Sequence, residues 1–253
     1  MIKKLFIVSI LINTLAVNAQ EFTKYVNPFI GTSNFGATNP GAIAPRGMVS
    51  ISPFNVAGTQ NTLEKDSRWL SNPYVNENTF LTGYSHVNLS GVGCPDLGVI
   101  LLMPTTGDVE TNHLKYGSTY TNETAKAGYY SNVLTKYNIK VETTTTTRTG
   151  ISRYTFPKGQ SNILLNLGLG LTNEEGAAIK IVSPTEIEGM RTVAHFAITN
   201  PKKHIRFISL QNLVNLQQIM AFGKHQKNIR ALKLLGCHTM ENQGLWKVIV
   251  KKF

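Results

Sequence analysis

The sequence predicts an all-β fold, a β-sandwich, on three observations. Short runs rich in Thr, Val, Ile and Tyr recur between turns of Gly, Pro and Asn. Strong amphipathic helical periodicity is lacking before Arg191. A continuous apolar run, Gly98 to Met103, has the length and composition of a buried strand. The chain has 253 residues, 42% of them hydrophobic and 15% charged. That suits one large domain or two small ones and argues against disorder.

The elements follow in chain order. "MIKKLFIVSILINTLAVNAQ" starts with Lys3 and Lys4, continues with an apolar stretch from Leu5 to Leu15, and ends in the small residues Val17 and Ala19. This is the pattern of a secretory signal cut after Ala19, and it predicts a secreted or periplasmic protein. The apolar stretch is too short to span a bilayer, and no later segment is apolar enough to do so. Ser90, Gly91 and Gly93 permit sharp turns, and Pro95 and Asp96 restrict the chain before the strand Leu97–Met103. "KAGYYSNVLTKYNIKVETT" predicts a hairpin joining Tyr129–Leu134 to Ile139–Thr143. "NIKVETTTTTRTGISRYTF" alternates, with a turn near Thr149 and Gly150, and the run Thr143–Thr147 is a strand with one polar face. A Pro-Lys-Gly turn precedes a strand at Asn162–Leu167, and two short strands flank Pro184.

Charge divides the chain. From Thr192 onward there are ten Lys or Arg and one acid, Glu241. Setting these and the two signal lysines aside from the 25 bases and 14 acids leaves 13 of each between Gln20 and Arg191. The net charge of +11 therefore sits in the signal and the tail. Nucleic-acid binding needs basic groups organised on a folded surface with groove-reading or stacking residues, and the neutral body does not supply them. The tail itself reads as helix-like, basic and nearly free of acids. Its Cys237 lies far from Cys94, and no disulfide is predicted.

Site chemistry is excluded in several forms. His86 and Cys94 have no second Cys or His at metal-ligand spacing. Gly91-Val92-Gly93 runs into Cys94-Pro95 and an apolar strand, where a dinucleotide loop needs a helix. Cys94 lacks an identifiable activating base. Asp66, Asp96, Asp108, Glu110, Glu174 and Glu175 show no spacing that marks a catalytic pair.

Several motifs nevertheless occur together and in order. They are "YVNPFIGT" (Tyr25–Thr32), "NPGAIAPRGMVSISP" (Asn39–Pro53), "GYSHVNLSGVGCPDLGVILLMPTTG" (Gly83–Gly107), "TRTGISRYTFPKG" and "EIEGMR". The chain from Glu21 to Val193 resembles the N-terminal domain of family 92 glycoside hydrolases, the calcium-dependent exo-α-mannosidases. The resemblance implies a supersandwich-like β-domain and a first strand at Tyr25–Thr32. It implies an enzyme that removes terminal α-mannose from N-glycans or mannan with inversion, assisted by Ca²⁺. It also implies that the catalytic carboxylates and the Ca²⁺ ligands belong to a helical domain that follows this one, so this chain is expected to be inactive alone. The loop Ser90–Asp96 would then face the helical domain beside the mannose pocket. His86 is a candidate for that face, with a satisfied core histidine as the competing reading. Cys94 is a weaker candidate, with a buried structural thiol competing. Trp69 is the leading sugar-binding residue, because an indole covers the apolar face of a sugar and offers one N–H donor. Arg68 and Asp66 stand beside it for the hydroxyls, and Arg46 is a further, weaker candidate.

The tail departs from the resemblance. Codons permitted for Ala194–Thr199, read after restoring one G, give Gly-Ser-Phe-Cys-Tyr-Asn, which resembles the family continuation. The same offset over His238–Trp246 gives Tyr-Asn-Gly-Lys-Pro-Arg-Ile-Met-Glu. The expected organisation is thus a signal peptide at 1–19, a β-sandwich at 20–193, and an aberrant basic tail at 194–253, out of frame and helix-like or disordered. Competing functions are a stand-alone carbohydrate-binding or interaction domain, and a basic surface-binding protein that uses the tail.

Overall fold

The computed structural model describes residues 22–65, 70–171, 174–183, 186–193, 208–211, 219–222 and 247–252. The signal segment and the stretch holding Asp66, Arg68 and Trp69 lie outside the described residues. After a 3-10 turn at Phe22–Tyr25, the first strands are β1 (Ala42–Ile43), β2 (Ser50–Pro53), β3 (Phe80–Leu81), β4 (Tyr84–Asn88) and β5 (Leu97–Thr106). A single helical turn, α1 (His113–Tyr116), leads to β6 (Ser118–Lys126), β7 (Tyr129–Leu134), β8 (Ile139–Thr145), β9 (Thr149–Thr155) and β10 (Ser161–Asn166). Then come β11 (Glu174–Ser183), β12 (Glu186–Val193), β13 (Ile208–Gln211), β14 (Ile219–Phe222) and β15 (Lys247–Lys252).

Two sheets result. One has six strands in the order β1-β2-β4-β5-β10-β14, the other nine in the order β11-β12-β13-β15-β9-β8-β7-β6-β3. Their facing sides share one core. Ile51, Tyr84, Leu102 and Leu164 from the first sheet pack with Tyr130, Leu134, Val141, Tyr154 and Ile187 from the second. Apolar residues of both sheets meet in one layer, which is sandwich packing. The expected all-β class therefore holds, and so do the hairpin β7–β8 and the paired strands on either side of Pro184.

Strand β5 is buried along all but its last residue. Its inner side chains, such as Leu102, join the main core, whereas Leu101 points to the other face. There it meets Phe54, Val56, Leu63, Leu70, Val75 and Leu171. A strand covered on both faces has no need to alternate, which is why its sequence reads as continuous apolar residues.

The cover on that second face comes from the long connection between β2 and β3. Little regular structure satisfies its backbone, and asparagines do so instead. Asn55 accepts from Val75 N at 2.8 Å and donates to Val75 O at 2.8 Å. Asn78 accepts from Leu63 N at 3.0 Å and donates to Asn55 O at 2.8 Å. Asn61 donates to Asn55 O at 2.7 Å and to Phe80 O at 2.9 Å. Buried amide side chains stand in for a ladder wherever the chain cannot form one.

Three expectations differ from the structure. Tyr25–Thr32 is not a strand. Its backbone closes on itself through Ile30 N to Asn27 O and Thr32 N to Phe29 O, and Gly31 takes φ +79°. The turn after β8 falls at 146–148, closed by Thr146 N to Thr149 O at 2.8 Å. Gly150 lies inside β9, where an added Cβ would come 2.8 Å from Ile51 Cδ1. That glycine serves close packing between the sheets, not a turn. Lastly, the described residues of the tail are the strands β13, β14 and β15, not helix. Lys247–Lys252 runs parallel to Thr149–Thr155, and Ile219–Phe222 runs parallel to Ile163–Asn166. Short apolar runs do not distinguish strand from helix by period, and β9 and β10 offer open ladders to pair with.

The outer face of the nine-stranded sheet carries a charged cluster. Glu142 accepts from Arg153 Nε at 2.7 Å and from Tyr129 Oη at 2.9 Å, and Lys140 Nζ stands 3.2 Å away. Arg153, then Tyr129 and Lys140, hold its carboxyl at about 2, below the usual 4.5. A depressed carboxylate stabilises the fold above pH 4.5 and loses that contribution as pH falls toward 2. In urea unfolding, Glu142→Gln is expected to be modestly less stable than wild type at pH 7, with the gap closing between pH 4.5 and 2.

Candidate functional site

Three irregular segments meet at two consecutive carbonyls. Gly36 O accepts from Asn72 Nδ2 at 2.8 Å. Ala37 O accepts from Gly91 N at 2.6 Å. Asn72 lies three residues after Trp69, and Gly91 lies three before Cys94. The hub at Gly36–Ala37 therefore joins the end of the connection that carries Trp69 to the loop that carries Cys94.

The hub is held firmly. Thr32 O accepts from Asn76 N at 2.9 Å, and Glu77 takes Asn34 N on both carboxylate oxygens, at 2.9 and 3.1 Å. Asn34 has φ +55°, a conformation that asparagine tolerates better than most residues. A Cβ at Gly36 would lie 1.9 Å from Gly31 O, so only glycine fits there. Leu63 and Leu70, on either side of the 66–69 stretch, are both buried in the cluster over β5.

The predicted site residues fall in different places. Asp66, Arg68 and Trp69 lie outside the described residues, though their flanks are anchored as above. Cys94 is a free, half-buried thiol in the 89–96 loop, whose Val92 is 97% exposed. Arg46 is exposed in the β1–β2 turn with φ +55°. This turn is at the same end of the sheet as the 89–96 loop, since Asn88 Nδ2 donates to Ser50 O at 3.0 Å.

His86 is 1% exposed within β4. Its Nδ1 pairs with Ile100 O at 2.9 Å, and Nε2 makes no hydrogen bond. Burial pushes its pKa down to about 4 from 6.5, against the upward pull of the Ile100 and Tyr84 carbonyls. A neutral ring with Nδ1–H donating to Ile100 fits this geometry. Ile100 itself has φ +62°, strained for a β-branched residue, opposite His86 in the ladder. The ring thus lies in the core, away from solvent, with Nδ1 partnered and Nε2 not.

Among the described residues, carboxylates do not gather at the hub. Glu77 is committed to Asn34, and Asp96 Oδ1 accepts from Leu97 N at 2.8 Å. Asp108 and Glu110 follow the far end of β5, about 30 Å from its start at ~3.3 Å per residue. Among the described residues, no three His, Cys, Asp or Glu side chains are grouped to hold a metal. The geometry offers rigid loops and polar backbone, suited to holding a ligand.

A residue the sequence did not single out is Glu123. It is half-buried and accepts from Tyr130 Oη at 2.6 Å and from Tyr74 Oη at 3.0 Å. Its inward turn depends on the pairing of β6 with β7, which no pattern within β6 shows.

Comparison with known proteins follows the same lines. The model of the glycosyl hydrolase family 92 N-terminal domain matches residues 25–229. An uncharacterized secreted glycosidase of Arthroderma benhamiae is 28% identical over 198 residues, 72% of this chain and 24% of that one. A family GH92 alpha-mannosidase from Bacteroides thetaiotaomicron superposes with a TM-score of 0.61 at 31% identity, covering 69% of this chain and 24% of that chain. The same enzyme in complex with mannoimidazole gives a TM-score of 0.61 at 32% identity, over 69% and 23% of the two chains. This chain spans about a quarter of the length of these relatives.

The His86 ring gives a pH signature. The folded pKa near 4 lies below the unfolded 6.5, so protons favour the unfolded chain as pH drops from 6.5 toward 4. The cost is about 3 kcal/mol over that window. Denaturant unfolding from pH 7 to 4 is expected to show a steeper loss for wild type than for His86→Gln by about that amount.

Proposed function

The chain belongs to glycosyl hydrolase family 92, and we propose that it is the sugar-facing N-terminal β-domain of a secreted exo-α-mannosidase. The observation that carries this reading is the Gly36–Ala37 hub, which ties the ends of the Trp69 and Cys94 segments together at one place. The α-mannosidase relative and its mannoimidazole complex support terminal α-mannose of N-glycans or mannan as the ligand class. Trp69 covers a sugar face, Arg68 and Asp66 take hydroxyls, and Cys94 and His86 shape the rim and its support. Export through a signal cut after Ala19 completes the reading, and a mature N-terminus at Gln20 would support it. No helix among the described residues is long and apolar enough to cross a membrane.

Hydrolysis belongs, in this proposal, to the longer enzyme. Inverting glycosidases place an acid and a base on opposite sides of the scissile bond, about 6.5–9.5 Å apart. The carboxylates described above are spread over both ends of β5. Ca²⁺ is assigned, in the same proposal, to the helical domain of the longer enzyme. Ile30, Phe35, Leu89 and Val92 are exposed on two loops joined at the hub, which suits a face covered by that domain. Expressed alone, the chain is expected to be poorly soluble.

The reading-frame change after Val193 remains part of the proposal, although the family match runs on to residue 229. The gene sequence decides it: absence of the family continuation in the neighbouring frame removes it. A stand-alone carbohydrate-binding domain is the second reading, favoured by the rigid, acid-poor hub.

Titration calorimetry with an α-mannobioside tests binding. Wild type is expected to bind, and Trp69→Ala to weaken binding about 10-fold, the ~1.5 kcal/mol of a good aromatic contact. No mannose release is expected, with or without Ca²⁺. Calcium-dependent turnover by this chain overturns the assignment of catalysis elsewhere.

A further inference from the structure

Strand β6 is polar and mostly exposed, yet it sends one carboxylate inward. The ladder explains how. Thr121 faces Val133 and Thr124 faces Ser131, so Asn122 and Glu123 together oppose Asn132. Asn122 takes φ +52°. This is a β-bulge, and its extra residue shifts the strand's parity. Tyr120 and Ala125 pack against the core on either side of it. Between them the inward position falls to Glu123.

Glu123 meets two phenols from different elements. Tyr130 of β7 donates to Oε1, and Tyr74 of the β2–β3 connection donates to Oε2. From Tyr130 the network continues to the first sheet. Asn132 Nδ2 donates to Tyr130 Oη at 3.0 Å, and Tyr84 Oη donates to Asn132 Oδ1 at 2.5 Å. From Tyr74 it continues to the hub. Tyr74 N donates to Asn72 Oδ1 at 3.1 Å, and Asn72 in turn donates to Gly36 O.

We infer that Glu123 is a positioning residue for the glycan-side loops: through Tyr74 its carboxylate holds the 72–76 segment against the 32–37 hub. The inference rests on the sugar-binding reading above. An ionised Glu123 accepts from both tyrosines, whereas a protonated one has lost an acceptor to its own proton. Burial raises its pKa, and the Tyr130 and Tyr74 hydrogen bonds pull it back down. The titratable groups facing it are Tyr74 and Tyr130, with Tyr120 and Tyr84 beyond, all raised by burial above the ordinary phenol value. Glu123 is the carboxyl of this cluster and changes charge below the range of the phenols, so the loop should tighten as pH rises through its pKa.

The test uses the full chain with Tyr74→Phe, Glu123→Ala and Glu123→Gln. Amide hydrogen exchange is read at Tyr74 and Asn76, and methyl α-mannoside affinity is measured alongside. Tyr74→Phe and Glu123→Ala are expected to speed exchange at these amides about 10-fold and to weaken binding several-fold. Strands β8 and β9 should stay protected. Glu123→Gln, which keeps an acceptor oxygen, is expected to recover most of both. Relative to Glu123→Gln, wild-type protection at Asn76 should grow as pH rises above 4.5, the ordinary value from which burial raises the Glu123 carboxyl. If Glu123→Ala fails to fold, the other two variants carry the comparison. Unchanged exchange and affinity overturn the inference. Faster exchange with unchanged affinity also overturns it, leaving a structural carboxylate and an intact sugar reading. A wild-type chain that binds no mannoside removes the sugar reading itself, and the positioning role with it.

Discussion

Strand β5 needs apolar cover on two sides, and much of the remaining chain is arranged to provide it. The nine-stranded sheet supplies one side. The other falls to a connection with little secondary structure, running from Phe54 to Val75. Such a segment is stable only if its backbone groups find partners, because an unpaired buried amide costs about as much as a lost hydrogen bond. Asn55, Asn61 and Asn78 provide them. The loops at the candidate site are thus by-products of closing the core. The connection that seals β5 is the one that carries Trp69, and its end at Asn72 reaches the hub.

Covering a core with irregular chain has a second consequence, which is the polar seam between layers. Tyr84, Asn132, Tyr130, Glu123 and Tyr74 form one line of hydrogen bonds from the first sheet through the second to the connection. A satisfied buried network of this kind rigidifies the core, because each member fixes the others' geometry. A slip of either sheet would leave phenols and a carboxylate unpaired in a low-dielectric interior. The seam therefore sets the register of sheet on sheet, and with it the placement of the loop ends.

The sequence showed the parts of the fold whose signals are local. The β7–β8 hairpin was legible because Gly128 and the Thr135–Asn138 stretch punctuate alternating Tyr, Val and Ile residues. β5 was legible because double burial leaves an unbroken apolar run. The long resemblance named the architecture. What stayed hidden depends on distant partners. The inward turn of Glu123 needs Asn132 opposite it, and no pattern within β6 records that. Gly150 looks like a turn residue until Ile51 is seen against it. The resemblance implied a strand at "YVNPFIGT", but Asn27, Pro28 and Gly31 close it into turns. At the site, the motifs pointed to loops, while the joint at Gly36–Ala37 consists of backbone carbonyls that carry no residue signature.

In the proposed function, holding the sugar and cutting it fall to two domains, and these same constraints suit that division. A ligand-holding surface can be built from backbone and a few rigid side chains, because affinity tolerates contacts from one side. Glycoside cleavage does not tolerate this, since an acid and a water-activating base must face each other across the bond. A sandwich presents its loops from two ends, and the described acids flanking β5 are divided between them. Asp96 stands before β5, while Asp108 and Glu110 come after it. Bringing such groups within 10 Å would require folding one end of the sheet onto the other. A second body placed against the hub meets the requirement without disturbing the first, and it would cover Ile30, Phe35, Leu89 and Val92 as it did so. In the proposed function the β-domain contributes preorganisation: loops held before the ligand arrives, at no reorganisation cost when it does.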